Sequence, residues 1–117
     1  MPNEAYLSTW NTYQKAWANI SPAERQDLLS SSVAEDCIYT DPGAECHGLK
    51  ELIAHIEQFQ QQFPGTLFHN DKFTDHHAQG LFNWTWYGAD GTTVASTGTS
   101  YARFDKEGLL TQMTGFF

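Results

Sequence analysis

Apolar residues in the first third of the chain recur at helical spacing. Tyr6, Trp10, Tyr13, Trp17 and Ile20 alternate steps of four and three, which puts them on one stripe of a helix that ends near Asn19. Ser21-Pro22-Ala23-Glu24 then restarts a helix. Ser21 reads as its N-cap, Pro22 suits the first helical position and Glu24 completes a capping box. Leu28, Leu29 and Val33 give this second helix its apolar face. Asp36-Cys37-Ile38-Tyr39-Thr40 is short and β-favouring, and Asp41-Pro42-Gly43 stops it, because proline has no N–H for a ladder and glycine permits a turn. A third helix follows Gly48, with Leu49, Leu52, Ile53, Ile56, Phe59 and Phe63 at helical spacing and Pro64-Gly65 as its end.

From Thr66 onward the period falls to two. Leu67–Thr74, Ala78–Tyr87, Thr93–Phe104 and Leu109–Phe117 are rich in Phe, Trp, Tyr and Thr. Asp75-His76, Asp90-Gly91 and Lys106-Glu107-Gly108 separate them, and Asp90-Gly91 is a strong hairpin signal. Phe82, Trp84 and Trp86 alternate with Leu81, Asn83, Thr85 and Tyr87, so cover is expected on both faces of that strand. Helices followed by strands predict an α+β fold, with three N-terminal helices packed on a curved, mainly antiparallel sheet. Such a sheet forms a cone with an open mouth. The length of 117 residues suits one domain, residues 1–117.

Composition narrows the choice of function. A chain that is 40% hydrophobic and 15% aromatic folds. Its net charge of −8 and pI near 4.8 argue against nucleic-acid or anionic-membrane partners, because a phosphate backbone is repelled. No apolar run approaches the ~18 residues of a membrane span. The start, MPNEAYLSTW, lacks a basic and an apolar leader region, so a cytoplasmic protein is expected. Cys37 and Cys46 are too few for a disulfide scaffold, and reduced thiols are the default, with a single bridge left open. Cys37 reads as core and Cys46 as an exposed loop thiol. No phosphate-binding glycine loop, CxxC, HExxH or GxSxG is present.

The order of elements, with these residues, resembles the SnoaL-like branch of the NTF2-like (cystatin-like) superfamily, which includes polyketide cyclases and ketosteroid isomerase-like enzymes. Glu24-Arg25-Gln26-Asp27-Leu28-Leu29 resembles the family's second helix. Tyr39-Thr40-Asp41-Pro42, with Gly48, resembles its strand and Asp-Pro turn. Phe63-Pro64-Gly65 resembles its third-helix exit. Trp84 and Phe104-Asp105-Lys106-Glu107-Gly108-Leu109 resemble its central and final hairpins.

Asp41 is the first catalytic candidate. In the isomerase-like relatives a matching aspartate shuttles a proton at a carbon next to a carbonyl, and an aromatic wall makes a carboxylate a better base. The alternative is a turn residue that caps local backbone N–H groups. An enolate also needs donors for its oxyanion. The relatives' first-helix tyrosine falls on Trp17, with Tyr13 one turn earlier, and their acidic donor on the penultimate strand falls on Ser100. These two positions depart from the isomerase pattern.

His69, Asp71, Asp75, His76 and His77 raise the question of a metal. Adjacent strand residues face opposite sides, so His76 and His77 cannot share an ion, and no metal site is expected. His77 is expected to face inward as a pocket residue. His47 reads as a mouth residue or a solvated one. His55 falls opposite the apolar stripe of its helix and is expected to be exposed. The aromatic stripe of the first helix reads as core or as a ligand box. A cone lined by Trp17, Phe59, Phe63, Met113 and Phe117 would suit a flat, apolar, carbonyl-bearing molecule, and Met113 and Phe117 share strand parity.

The resulting expectation is cofactor-independent proton transfer or aldol-type cyclisation of a small apolar carbonyl compound, with Asp41 as base. The alternative is a non-catalytic binding or dimerisation module of the same fold. Either way, a homodimer through the outer face of the sheet is expected.

Overall fold

A computed structural model of the chain describes residues 3–117. Met1 and Pro2, where the stretch read for a leader begins, lie outside the described residues. Three helices, α1 (Glu4–Lys15), α2 (Pro22–Ser32) and α3 (Leu49–Gln62), pack on a six-stranded sheet. The strands are β1 (Val33–Asp41), β2 (Ala44–His47), β3 (Leu67–His76), β4 (Gln79–Tyr87), β5 (Val94–Phe104) and β6 (Leu110–Phe116), in spatial order β2-β1-β6-β5-β4-β3. All neighbours are antiparallel except β1 and β6, which run parallel. No helix among the described residues is long and apolar enough to cross a membrane.

Stacked rings weld α1 to the sheet. Trp10 lies flat on Phe82 (centroids 4.1 Å apart), Phe73 stacks on the same ring at 4.6 Å, and Tyr6 covers Phe104 at 4.2 Å. Leu29, Leu52 and Ile56 of the helices and Phe82 and Leu110 of the sheet are fully buried. Ser21 caps α2 as expected, its Oγ accepting the Glu24 N–H at 3.2 Å.

Several boundaries differ from the sequence reading. The α1 stripe continues to Trp17, but the helix stops at Lys15. Trp17 and Ala18 donate three residues back, to Gln14 and Lys15, which tightens the chain out of the helix. Val33 opens β1 instead of closing α2. β2 was not foreseen, and it buries Cys46, which is therefore no exposed loop thiol. Burial pushes the Cys37 thiol up to about 11, so it is inert. The turn before β4 is His77-Ala78, both at positive φ, and not Asp75-His76. Asp90-Gly91 forms no two-residue hairpin; it lies in a longer loop where Asp90 accepts the Thr92 and Thr93 N–H groups. The second face of β4 has no cover within the protomer, and Leu81 is 49% exposed there.

The connection from α1 to α2 is held by one side chain. Arg25, 4% exposed, donates from Nε to the Ala16 carbonyl at 2.8 Å. Its Nη2 donates to the carbonyls of Ala18 at 3.0 Å and Ile20 at 3.4 Å. Glu57 on α3 stands 3.9 Å from Nη1. Arg25→Met is expected to lower unfolding free energy by roughly 2–4 kcal/mol, because charge-assisted bonds are lost and buried carbonyls are left unpaired. Arg25→Lys, with one point donor, should recover only part of it. Urea denaturation of the three proteins measures both effects.

Candidate functional site

Between the helices and the sheet lies a cavity of about 340 Å³, within the range of small-molecule sites. Ten of its fifteen lining residues are aromatic, and all four tryptophans are among them. The sheet supplies Tyr39, Phe68, Trp84, Trp86 and Ser100; α3 supplies His55 and Phe59. Trp10 and Tyr13 reach it from α1, and Trp17 from the tightened turn beyond. No lysine or arginine lines it.

The rings meet edge to face or at a tilt, except Phe68 and Trp86, which stack. Trp17 meets Phe59 (5.4 Å, 77°), Phe68 (6.2 Å, 73°) and His55 (5.8 Å, 82°). Such contacts hold rigid planar groups apart instead of letting them collapse on one another. The Gln60 amide donates to the Trp17 carbonyl, fixing that residue from α3 as well.

Asp41 closes β1 at the cavity wall. Its Oδ1 accepts the Gly43 N–H at 2.8 Å, which makes it a turn cap. Its Oδ2 accepts the Tyr39 hydroxyl at 2.6 Å and faces His55 Nε2 at 3.3 Å. The two readings of Asp41 are thus combined in one side chain: one oxygen serves the turn, the other belongs to a Tyr–Asp–His cluster on the wall. Neither Trp17 nor Ser100 is hydrogen-bonded to it. Burial raises the Tyr39 hydroxyl far above the ordinary phenol value, and the adjacent Tyr13 and Asp41 add to this. Burial also raises Tyr13, partly offset by the Trp17 indole. Both tyrosines are therefore protonated donors at neutral pH.

Tyr13, Trp17, Phe59, Phe63, Ser100 and Phe117 all line the cavity, as the sequence led us to expect. Ser100 Oγ accepts the Trp84 indole N–H at 3.0 Å, which orients the hydroxyl and leaves its own O–H to donate. Met113 and His77 do not line it. Met113 is 1% exposed and sealed in the core beside its neighbours Tyr39 and Ala102. It shares parity with Phe117, but four residues of strand, ~13 Å, separate their depths. His77 occupies the β3–β4 turn at φ 51, exposed and against His76 Nδ1 at 3.0 Å. His77 lies in the turn itself, outside strand alternation, and Leu81 and Asn83, with which it shares parity, are exposed on the open face of the sheet. His47 is solvated and pairs with Glu45. Among the described residues, no three His, Cys, Asp or Glu side chains are arranged to hold a metal ion.

His55 is the correction that matters most. It was expected in solvent, yet its side chain is only 25% exposed and lines the cavity. At 100° per residue it lies about 40° from Phe59 around α3, at the edge of the apolar stripe and not opposite it. Its spacing of four from Phe59 was the available signal.

A SnoaL-like domain model matches residues 4–113. A suggested isomerase of the SnoaL-like family from Agrobacterium tumefaciens has a similar structure, with a TM-score of 0.89 and 28% identity over 97% of each chain. A suggested polyketide cyclase from Sinorhizobium meliloti has a TM-score of 0.75 at 17% identity, over 92% of this chain and 93% of that one. A cystatin-like protein of unknown function from Nostoc punctiforme has a TM-score of 0.73 at 10% identity, over 97% and 88%. At these last two identities the likeness shows the fold alone. No functionally curated protein matches the sequence.

The cavity wall also depends on a glycine. A Cβ at Gly98 would stand 2.4 Å from the Trp84 ring and 2.9 Å from the Phe116 carbonyl. Gly98→Ala is therefore expected to displace Trp84, break its bond to Ser100 and cost about 1–3 kcal/mol, as overpacking does. A shifted tryptophan emission maximum together with a lower urea midpoint is the expected result.

Proposed function

This chain belongs to the SnoaL-like family, and from that membership we propose that it binds a small, flat, apolar carbonyl compound in the aromatic cavity and moves a proton on it without a cofactor. The observation that carries this reading is the Asp41 carboxylate, set into an otherwise aromatic wall with one oxygen on Tyr39 and His55. Isomerisation and aldol-type cyclisation both begin by removing a proton next to a carbonyl. The Asp41 cluster is the acid–base centre. Tyr13, a buried phenol beside it, and the Trp17 indole are the donors for the oxygen on which charge develops. The suggested isomerase among the similar structures supports this class of chemistry.

The identity of residue 100 favours a second reading, a binding module without chemistry, since a serine hydroxyl is a weaker donor than the carboxylic acid the isomerase-like relatives carry there. Two simple ligands separate the possibilities. 2-Tetralone and 2-naphthol should each raise the melting temperature, by the equivalent of about 2.7 kcal/mol at a hundredfold excess over Kd. 2-Naphthoate should not, because among the described residues no lysine or arginine lines the cavity and the Asp41 carboxylate does. Wild-type protein should also speed deuterium uptake from D2O into 2-tetralone. Binding without uptake would leave only the binding module, and stabilisation by 2-naphthoate alone would overturn both.

The open face of the sheet forms a homodimer in this reading. Ile38, Leu81 and Phe116 stand exposed on it, among threonines and tyrosines, and apolar groups so placed favour a self-complementary contact. Light scattering should give a dimer mass at micromolar concentration and a monomer mass for Leu81→Glu. A monomeric wild type would remove the proposal.

A further inference from the structure

The acid–base centre contains two groups able to take a proton, and their hydrogen bonds distinguish them. Oδ2 of Asp41 has both lone pairs occupied, by the Tyr39 hydroxyl at 2.6 Å and His55 Nε2 at 3.3 Å, and Oδ1 is turned to the Gly43 N–H at 2.8 Å in the exposed turn. A general base must present a free lone pair to the proton it removes. When His55 Nε2–H donates to the carboxylate, the unprotonated nitrogen of the neutral ring is Nδ1. His55 makes no other side-chain hydrogen bond among the described residues. Its ring is held in place by the Trp17 edge at 5.8 Å and by Tyr39 at 5.5 Å. The other four histidines lie outside the cavity; His47 pairs with Glu45, His69 with Asp71, and His76 with His77.

We propose that His55 is the residue that removes and returns the substrate proton, and that Asp41 is a positioning residue that fixes the tautomer of its ring. The inference rests on the proton-transfer reading above. In the forward step Nδ1 takes a proton from the carbon next to the carbonyl. The C–H electron pair moves into the enolate, and the ring becomes an imidazolium facing the Asp41 carboxylate. In the return step the same nitrogen gives the proton back, to that carbon or to one conjugated with it. The roles match those of the orienting carboxylate and the base in hydrolytic triads. The cluster also selects its substrate: a neutral ketone whose acidic C–H can reach α3, with its carbonyl oxygen toward Tyr13.

The test measures deuterium uptake into 2-tetralone and, separately, binding of 2-naphthol by quenching of tryptophan fluorescence. His55→Gln should bind 2-naphthol within about threefold of wild type and lose uptake by about 10²–10⁴-fold, the range for a lost general base. His55→Ala should regain part of its uptake when imidazole is added. Asp41→Asn should keep more activity than His55→Gln. Its ring should move toward the other tautomer, read from the ¹⁵N shifts of labelled histidine. Uptake by His55→Gln at the wild-type rate, with Asp41→Asn inactive, would overturn this inference and leave the proton-transfer reading standing. No uptake by the wild type would overturn both. If His55→Gln does not fold, the wild-type ring decides: Nε2–H supports the inference and Nδ1–H overturns it.

Discussion

The arrangement of the helices depends on where one buried cation has been placed. Arg25 is almost without solvent, and a guanidinium in that position is tolerated only when its donors are taken. They are taken by carbonyls at the end of α1 and in the connection beyond it, with Glu57 of α3 nearby. The consequence reaches the cavity. The residue between two of those carbonyl-bearing positions is Trp17, and its own carbonyl is held by Gln60. With its backbone fixed from α2 and from α3, the indole can stand as a wall between α1 and the sheet. The fold thus turns a helix end into part of a binding surface.

A cavity persists in so apolar a chain because of the shape of its side chains. Aliphatic residues would relax into the space, since interiors approach crystal-like density. Rings in edge-to-face contact are rigid, and their backbones are fixed by helix ends and ladder bonds. Trp84 shows how closely this is balanced: it lies over Gly98, where no side chain could fit, and its indole nitrogen is tied to Ser100. Aromatic content, read in the sequence as either core or ligand box, forms core and cavity wall together. Trp10 and Tyr13 belong to the core and to the cavity lining alike.

The sequence made most of this legible through periodicity. Spacings of three and four placed the helices, and the change to period two placed β3 to β6 close to their observed bounds. The Asp-Pro turn put Asp41 at a strand end on the cavity wall. What escaped notice has identifiable causes. β2 is four residues without a β-branched side chain, so no propensity marked it. His77 was expected to face inward, but it lies in a turn at positive φ, where strand alternation does not apply. Arg25 was not counted with the apolar face of α2, although Arg25, Leu29 and Ser32 recur at a helical spacing and are all buried. His55 was missed because a polar residue at the edge of an apolar stripe was assumed to face water.

The separation of the buried charges has a chemical consequence. Arg25 and Asp41 are both largely removed from solvent, and each has its own set of partners. Had the guanidinium been set beside the carboxylate, a tight ion pair would have satisfied both and left nothing free to react. Here the cation is used up on backbone carbonyls, which are chemically inert. The carboxylate is held by a backbone N–H, a phenol and an imidazole. Of these only the imidazole carries a second ring nitrogen, which accepts a proton when the first donates. A fold that keeps its strong cation out of the cavity therefore leaves one exchangeable partner on Asp41, on the side that faces the aromatic wall.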